Sequence, residues 1–433
     1  MSNQTGSNYS SDWARRTQAL FPAGSNGEYD LPADLVRVFD RGEGCRVWDT
    51  ENREYIDYTM AWGSALVGHA HPQVVQAISR QAQRGINFAA ISSPLVTLAE
   101  RLAEISPVLE RMRFVSTGTE ATMTCIRIAR GATGRSKILK FEGAFHGSHV
   151  EGVANFFWSR EGGLPAAEHT GTGGASAISD LLVSPYNDLA TAEELIATHA
   201  NELAAVIIDP VQRSVLAQTD FMQGLRKATE KHGVLLIFDE VVSGFRLALG
   251  GACEFYGVNP DLIAYGKAIG GGFPIAVLGG RTDIMDEVRE DRHTTDKYVW
   301  AASTTGGGPV TAAAAHAVLD ILSEPNSYDY LYRMGDLLRN GISEVFASWK
   351  IPAQVYGVGA LAQFQLSNTP VVDMSTEALG DSTLRREIDL ELVRQGLFIN
   401  PMLTKIYVSL AHDEAAINTY LQALDTTLGK LNR

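Results

Sequence analysis

The chain has 433 residues, of which 45% are hydrophobic and 20% charged, and a net charge of −14. This is ordinary globular usage, which excludes a disordered polypeptide and gives length enough for a sizeable core and two working domains. An acidic surface opposes phosphate backbones, so nucleic acid is not an expected partner, and no apolar run approaches the roughly 18 residues that suggest a membrane span.

The polar N-terminus lacks the basic and apolar regions of a signal peptide. The three cysteines (Cys45, Cys125, Cys253) cannot form a fully paired framework and do not sit at zinc spacing. A cytoplasmic protein is the simplest expectation. A short helix is predicted over Asp12–Leu20, followed by the loop FPAGSNGEYD. Residues 35–59 read as short strands with a turn at Asp49–Asn52. Helical periodicity begins after His71-Pro72, with Gly85 as its cap, and a second helix is predicted near Pro94–Ile105. From 113 to 281, short apolar runs (RFVS, KILKF, AAVIID, VLLIFD) alternate with helical stretches. That is βαβ alternation, and near-continuous apolar strands imply a parallel sheet covered on both faces. A helix of small residues occupies 310–322, and 330–433 reads as an α+β lobe. The loop Glu161–Ser179 is long enough for a lid, or for disorder.

Three constellations carry chemistry. Ser116-Thr117-Gly118-Thr119-Glu120 lies between a strand and a helix. Thr117 and Glu120 make a capping box, and a cap alone is the plainer reading of this motif; the alternative is a phosphate cradle built on Gly118 and the helix start. In VLLIFDEVVSGFR, Asp239 stands at the carboxyl end of a central strand, where α/β sheets hold ligands. A carboxylate there needs a partner, either a ligand or a local arginine such as Arg246. Asp209 ends AAVIID in the same way. Lys267 follows the apolar strand LIAYG and precedes three glycines. A lysine in an apolar pocket loses pKa and becomes a nucleophile able to form a Schiff base, although a solvated amine on a loop is the plainer alternative. The glycines follow the lysine, so a P-loop is excluded. No G-x-G-x-x-G opens a helix, which disfavours a dinucleotide-binding dehydrogenase. His69 and His71 have no third ligand at a recognised spacing, so no metal site is expected. A phosphate site, a strand-end carboxylate and an activated lysine together are what pyridoxal 5'-phosphate requires.

The ordered set WGSALVGHAHPQV, RFVSTGTEATMTCIRIARGATGRSKILKFEGAFHG, PYNDL, LLIFDEVVSGFR and LIAYGKAIGGGFPIAVLGGR resembles the class III aminotransferases, most closely the glutamate-1-semialdehyde 2,1-aminomutase branch. The resemblance implies an α/β fold of type I for pyridoxal-phosphate enzymes. Its large domain, with a mostly parallel seven-stranded sheet, would span 66–325. A smaller α+β domain would be built from both termini, 1–65 and 326–433. It implies Lys267 as the Schiff-base lysine and proton shuttle, with Asp239 on the pyridine nitrogen and Val241 on one ring face. Phe145 would lie on the other face, His146 beside the cofactor, and Thr117, Gly118 and Thr119 on the phosphate. Thr304 would reach the phosphate of a neighbouring subunit, which implies a homodimer with shared sites.

Departures from the branch bear on the substrate. Gly27-Glu28-Tyr29-Asp30 replaces a segment carrying an arginine, and Thr404 stands where the branch has a glutamate. Asn400 precedes Pro401 where many class III enzymes have an arginine. Without those guanidinium groups, glutamate-1-semialdehyde itself is disfavoured as substrate. Arg213 either takes over an anion-binding role or makes a surface ion pair, and Trp62 is either a pocket wall or a core residue. The expected activity is a ping-pong aminotransferase moving an amino group from an amine or amino acid to a carbonyl acceptor. An intramolecular aminomutase, or a racemase, acting on a different substrate is the alternative.

Overall fold

The computed structural model describes residues 12–27, 31–156, 164, 167, 171–174, 176–399 and 405–431. Near the N-terminus a helix covers Asp12–Leu20, and three short strands follow: β1 (Phe39–Glu43), β2 (Arg46–Asp49) and β3 (Glu54–Asp57). The predicted turn therefore falls between β2 and β3. The helix after His71 spans Pro72–Ala82, stopping short of Gly85, and the next spans Ser93–Ile105.

The central sheet is built from β4 (Arg111–Val115), β5 (Lys137–Phe141), β6 (Leu181–Ser184) and β7 (Leu203–Ile208), then a hairpin of β8 (Val211–Gln212) and β9 (Val215–Leu216), then β10 (Leu235–Glu240), β11 (Leu262–Tyr265) and β12 (Ala276–Gly280). Its seven strands stand in the order β4-β12-β11-β10-β7-β5-β6, with β8 and β9 outside it, and only β12 runs against the others. Every residue of β7 is buried. Val206 and Ile208 join the core on one face and Ile207 the core on the other. Two covered faces explain why this strand reads as a continuous apolar run rather than an alternation.

Helices cover both faces. Gly118–Thr133 is capped at its end by Gly134 in the left-handed conformation (φ +68°), where a glycine avoids the Cβ penalty. Pro309–Leu322, rich in alanine, packs against Pro72–Ala82. Small side chains let two helices approach closely along that seam.

The remaining strands are β13 (Gln354–Tyr356), β14 (Leu361–Gln365), β15 (Leu397–Phe398) and β16 (Ile406–Tyr407). β15 adds in parallel to β3, which joins C-terminal chain to the N-terminal strands in one four-stranded sheet. β13, β14 and β16 form a second small sheet. Tyr407 donates its amide to the carbonyl of Tyr58 (2.9 Å), so β16 lies along the segment leaving β3. Among the described residues no helix is long and apolar enough to cross a membrane, and no cluster of three or more His, Cys, Asp or Glu side chains could hold a metal ion. His69 instead bonds Asp57 through Nε2 at 2.7 Å. Part of the loop Glu161–Ser179 (161–163, 165, 166, 168–170 and 175), together with Glu28–Asp30, Asn400, Pro401 and Thr404, lies outside the described residues.

Candidate active site

Because six strands of the central sheet run the same way, the carboxyl ends of β4, β5, β7, β10 and β11 meet along one edge. Ser116–Thr119 follows β4, Phe145 and His146 follow β5, and Asp209 follows β7. Asp239–Val241 closes β10, and Lys267 follows β11. Residues up to 151 positions apart in the chain are thus brought to one place by topology alone.

Lys267 is half-buried, at φ +45° at the start of a short 3₁₀ turn, Lys267–Gly270. Burial pushes its amine down to about 8, against the pull of Asp239 and with the help of the nearby Lys405 ammonium. An amine so shifted is a far better nucleophile at neutral pH than a solvated lysine. Asp239 does not pair with Arg246, the local arginine considered from sequence. Arg246 turns away, donating from Nε to the carbonyl of Val242 (3.0 Å) and from Nη2 to that of Gly63. The partner of Asp239 is His146, whose Nδ1 lies 2.7 Å from Oδ2. Burial lowers the His146 pKa although Asp239 opposes it, so the ring is neutral at pH 7 and donates its Nδ1 proton to the carboxylate. Its Nε2 is buried without a partner among the described residues. The other oxygen of Asp239 accepts the amide of Val241 at 3.1 Å. The carboxylate is held in place while keeping acceptor capacity for a protonated ring nitrogen.

At the start of the helix Gly118–Thr133 the capping box is formed. Glu120 donates its amide to Thr117 Oγ1 (3.1 Å), and Glu120 Oε2 accepts the amides of Ser116 and Thr117 (2.8 Å each). The amides of Gly118 and Thr119 have no partner among the described residues, so the cap leaves two donors at the positive end of a 16-residue helix. The cap and the phosphate cradle, alternatives in the sequence, therefore coexist. Gly147, at φ +110°, brings the loop after β5 against this helix start, and Ser148 donates its amide to Thr119 Oγ1 (3.2 Å).

Val241 stands between two glycines. A Cβ at Gly118 would lie 2.8 Å from both Val241 methyls, and one at Gly266 would lie 3.2 Å from Cγ1. Phe145 is 44% exposed and packs its ring against Phe156 at 5.1 Å. The Arg213 guanidinium lies over the Phe156 ring, 5.7 Å from its centroid. It is no surface ion pair. Its Nε donates to Glu377 at 2.9 Å, with both side chains largely buried. Arg213 and Ser214 both have positive φ (48° and 70°), as the two-residue turn between β8 and β9 demands.

Trp62 is half-buried within a left-handed turn, Met60–Gly63, whose four φ angles run from 45° to 82°. Such a turn costs about 1–2 kcal/mol per non-glycine residue. It is the kind of backbone strain that persists where surroundings over-determine it. Trp62 lines a cavity of about 370 Å³ between the N-terminal segment and the small sheet, with Phe21, Arg37 and Phe398 among its walls. Thr304 is exposed, its carbonyl held by Asn87 Nδ2 at 2.8 Å.

Two features were missed in the sequence. Lys405, immediately before β16, is buried with its Nζ 3.9 Å from Asp209 Oδ2. The signal was a lysine opening the apolar run IYVSL. Lys140, inside β5, is fully buried and donates to the carbonyls of Ala144, Glu151 and Gly152 (3.1 Å each) and Ala154 (2.5 Å). It ties down the loop carrying Phe145 and His146.

These residues fit pyridoxal phosphate. A softened amine, a fixed carboxylate, a helix start with two amides unpartnered among the described residues and a glycine cradle beside Val241 converge on one edge. The comparisons agree. A family model described as aminotransferase class-III matches residues 31–428. The chain is 38% identical over 423 residues to a glutamate-1-semialdehyde 2,1-aminomutase of Thermomicrobium roseum, covering 96% of each. Among solved structures it is similar to an omega-transaminase from Sphaerobacter thermophilus, with TM-score 0.89, 33% identity and coverage of 98% of this chain and 97% of that one. It also matches a beta-phenylalanine aminotransferase from Variovorax paradoxus, with TM-score 0.84, 28% identity and coverage of 97% and 93%.

Proposed function

The chain belongs to the class-III aminotransferases, pyridoxal-phosphate enzymes of fold type I, and from that premise we propose that it is a cytoplasmic aminotransferase carrying an amino group from an amine or amino acid to a carbonyl acceptor. The observation that carries this reading is Lys267. Its amine, pushed down to about 8, lies within electrostatic reach of the Asp239–His146 pair on the strand-end edge.

Lys267 would hold the cofactor covalently and, released by the incoming amine, move a proton between substrate and cofactor carbons. When bound, pyridoxal phosphate supplies the electron sink that makes loss of a substrate proton feasible. Asp239, oriented by His146, would keep the ring nitrogen protonated. The amides of Gly118 and Thr119 and the hydroxyls of Thr117 and Thr119 would hold the phosphate, with Val241 and Phe145 on opposite faces of the ring.

We further propose a homodimer, which the exposure around Thr304 supports. Thr304 is exposed, and Ile86, Phe88 and Ile91, flanking the Asn87 that holds it, expose 68%, 51% and 79% of their surface. A second copy covering this apolar face would receive Thr304 at its own phosphate site.

The intramolecular aminomutase stays as the second reading, because relatives named as such are 34–38% identical to the chain. The deciding experiment follows the cofactor's near-visible absorption while the purified enzyme meets a panel of amines and amino acids. A donor that bleaches the band and releases its own keto product supports the aminotransferase. A substrate converted into an isomer of the same mass, with no keto product in solution, supports the mutase. Turnover by Lys267→Ala would overturn both.

A further inference from the structure

The loop carrying Phe145 and His146 closes on itself. Residues 142–149 are irregular chain, and glycines stand on both sides of Phe145, Gly143 at φ +77° and Gly147 at φ +110°. Gly143 donates its amide to the carbonyl of Asn155 at 2.9 Å, which draws the loop into a neck. The hairpin of β8 and β9 lies against that neck. Gln212 donates from Nε2 to the carbonyl of Glu142 on one side, and the Arg213 guanidinium covers the Phe156 ring on the other. The approach is tight, since a Cβ at Gly143 would lie 3.2 Å from Gln212 Nε2 and 2.7 Å from Met374 Sδ.

Arg213 stands at a backbone position that suits other residues better. Two-residue turns with positive φ at both positions favour asparagine and glycine, yet this one holds Arg213 and Ser214. Its Nε donates to Glu377 Oε2 at 2.9 Å, and the carbonyl of Glu377 accepts from Gln365 Nε2 at 2.8 Å, which ties the pair to β14. A largely buried ion pair adds little stability over an apolar pair of the same size. Strain retained at the turn for such a pair therefore points to what the guanidinium covers. A cation within about 6 Å of a ring centroid is attracted to the ring face, and the Arg213 guanidinium lies 5.7 Å from that of Phe156. Phe156 in turn meets Phe145 in a tilted contact, with centroids 5.1 Å apart and planes at 57°. Phe145 keeps 44% of its surface exposed, so burial alone does not fix the angle of its ring.

Resting on the aminotransferase reading, which sets Phe145 on one face of the cofactor ring, we propose that Arg213 is a positioning residue for that face. The hairpin grips the neck of the loop, Arg213 fixes Phe156, and Phe156 fixes the angle at which Phe145 meets the cofactor. Arg213 acts through the two rings, with its charge held by Glu377, and not by its own contact with cofactor or substrate.

The test uses the full chain and reads the dissociation constant of pyridoxal phosphate together with the circular dichroism of its near-visible band. The double variant Arg213→Asn/Glu377→Gln gives the turn a residue it prefers and strands no buried charge. Its cofactor-free form should therefore keep the thermal inactivation temperature of the wild type. Its cofactor should nevertheless bind about fivefold more weakly, the size of one desolvated cation–aromatic contact, and the dichroic band should lose intensity. Phe156→Leu should reproduce both changes, and in that background the double substitution should add less than about twofold. Arg213→Met keeps the side-chain stem over Phe156 without the cation. It should shift both readouts in the same direction, and it decides the matter if the double variant does not fold. A folded variant without the cation whose affinity and dichroism match the wild type would overturn the assignment, as would effects that add fully to those of Phe156→Leu. Unchanged cofactor affinity and dichroism in Phe145→Ala, or a wild-type protein with no cofactor band after reconstitution, would instead overturn the reading on which it stands.

Discussion

The contact between Gly118 and Val241 offers a sharp test of how the cofactor ring would be seated. A methyl at Gly118 meets Val241 Cγ1 and Cγ2 at 2.8 Å, about 1 Å inside the 3.5–4.0 Å optimum for carbon atoms. Two effects compete in Gly118→Ala. Gly118 sits in the first turn of a helix with no positive φ, so alanine there should gain about 0.4–1 kcal/mol by restricting the unfolded chain. Overpacking costs about 1–3 kcal/mol, so the clash wins. Its relief is to push Val241 toward the space assigned to the ring.

Val241→Ala removes both offending methyls. The nearest remaining atom is then Cβ, at 3.4 Å from the new methyl, which is ordinary contact. The double variant should therefore be about 1–2 kcal/mol better than the sum of the singles. A chain of this size with several sheets is a poor two-state system, so the cycle is best read in the cofactor dissociation constant, with thermal inactivation as a check. Gly118→Ala should weaken the cofactor about 10-fold. Adding it to Val241→Ala should cost no more than about 2-fold, since 1.4 kcal/mol is a factor of ten. Effects that add within about 0.5 kcal/mol would refute the idea that Gly118 exists to let Val241 approach.

Lys140→Met strands four carbonyls and should destabilise the protein by about 3 kcal/mol or more. Hydrogen exchange should accelerate first over residues 142–155, and unchanged exchange there would contradict the anchoring role. The rate at which cofactor-free enzyme takes up pyridoxal phosphate should rise about tenfold per pH unit below 8 and level above it. Lys267 must be neutral to attack, and its pKa is lowered to about 8. Stopped-flow absorbance would show this, and a flat profile would count against it. Glu151 is held down to about 2 by its hydrogen bond from His149 and by Arg130, against the pull of burial. Its folded pKa is below the ordinary carboxylate value, so the stability it adds is present above about pH 4.5 and lost as pH falls toward 2. That loss is at most about 3 kcal/mol. Acid titrations of Glu151→Gln should be correspondingly flatter over that window.

What was legible in the sequence was what a strand end makes local. Asp239, Asp209 and Lys267 each follow an apolar run of three to six buried residues, so composition alone marks them as charged groups delivered to one edge. The cap at Thr117 was legible for the same reason, since its partners lie within four residues. Pairings across the chain were not. His146 and Asp239 are 93 positions apart, and no local rule favours that histidine over Arg246, which lies nearer in sequence but spends its donors on backbone carbonyls. The end of the helix at Ala82 rather than Gly85 reflects how little sequence distinguishes a last turn from the residues just beyond it. Lys405 stayed hidden because its meaning depends on Asp209, and β7 and β16 belong to different sheets.

These charged groups also support the proposal that the edge is a binding site rather than a core. His146, Lys267 and Lys405 are all pushed by burial toward their neutral forms, and so is Asp209. These four groups are thus disfavoured in their charged states at this edge, and two helix amides there lack partners among the described residues. An anionic cofactor would relax several of these costs at once: the Gly118 and Thr119 amides would hold its phosphate, Asp239 would hold its ring nitrogen, and Lys267 would be the amine that binds it. Because the relief exists only in the folded chain, it returns as stability through mass action, about 2.7 kcal/mol at a hundredfold excess over the dissociation constant. The fold would therefore carry a deficit at the proposed active-site edge that cofactor binding offsets, so the cofactor-free protein should be the less stable form.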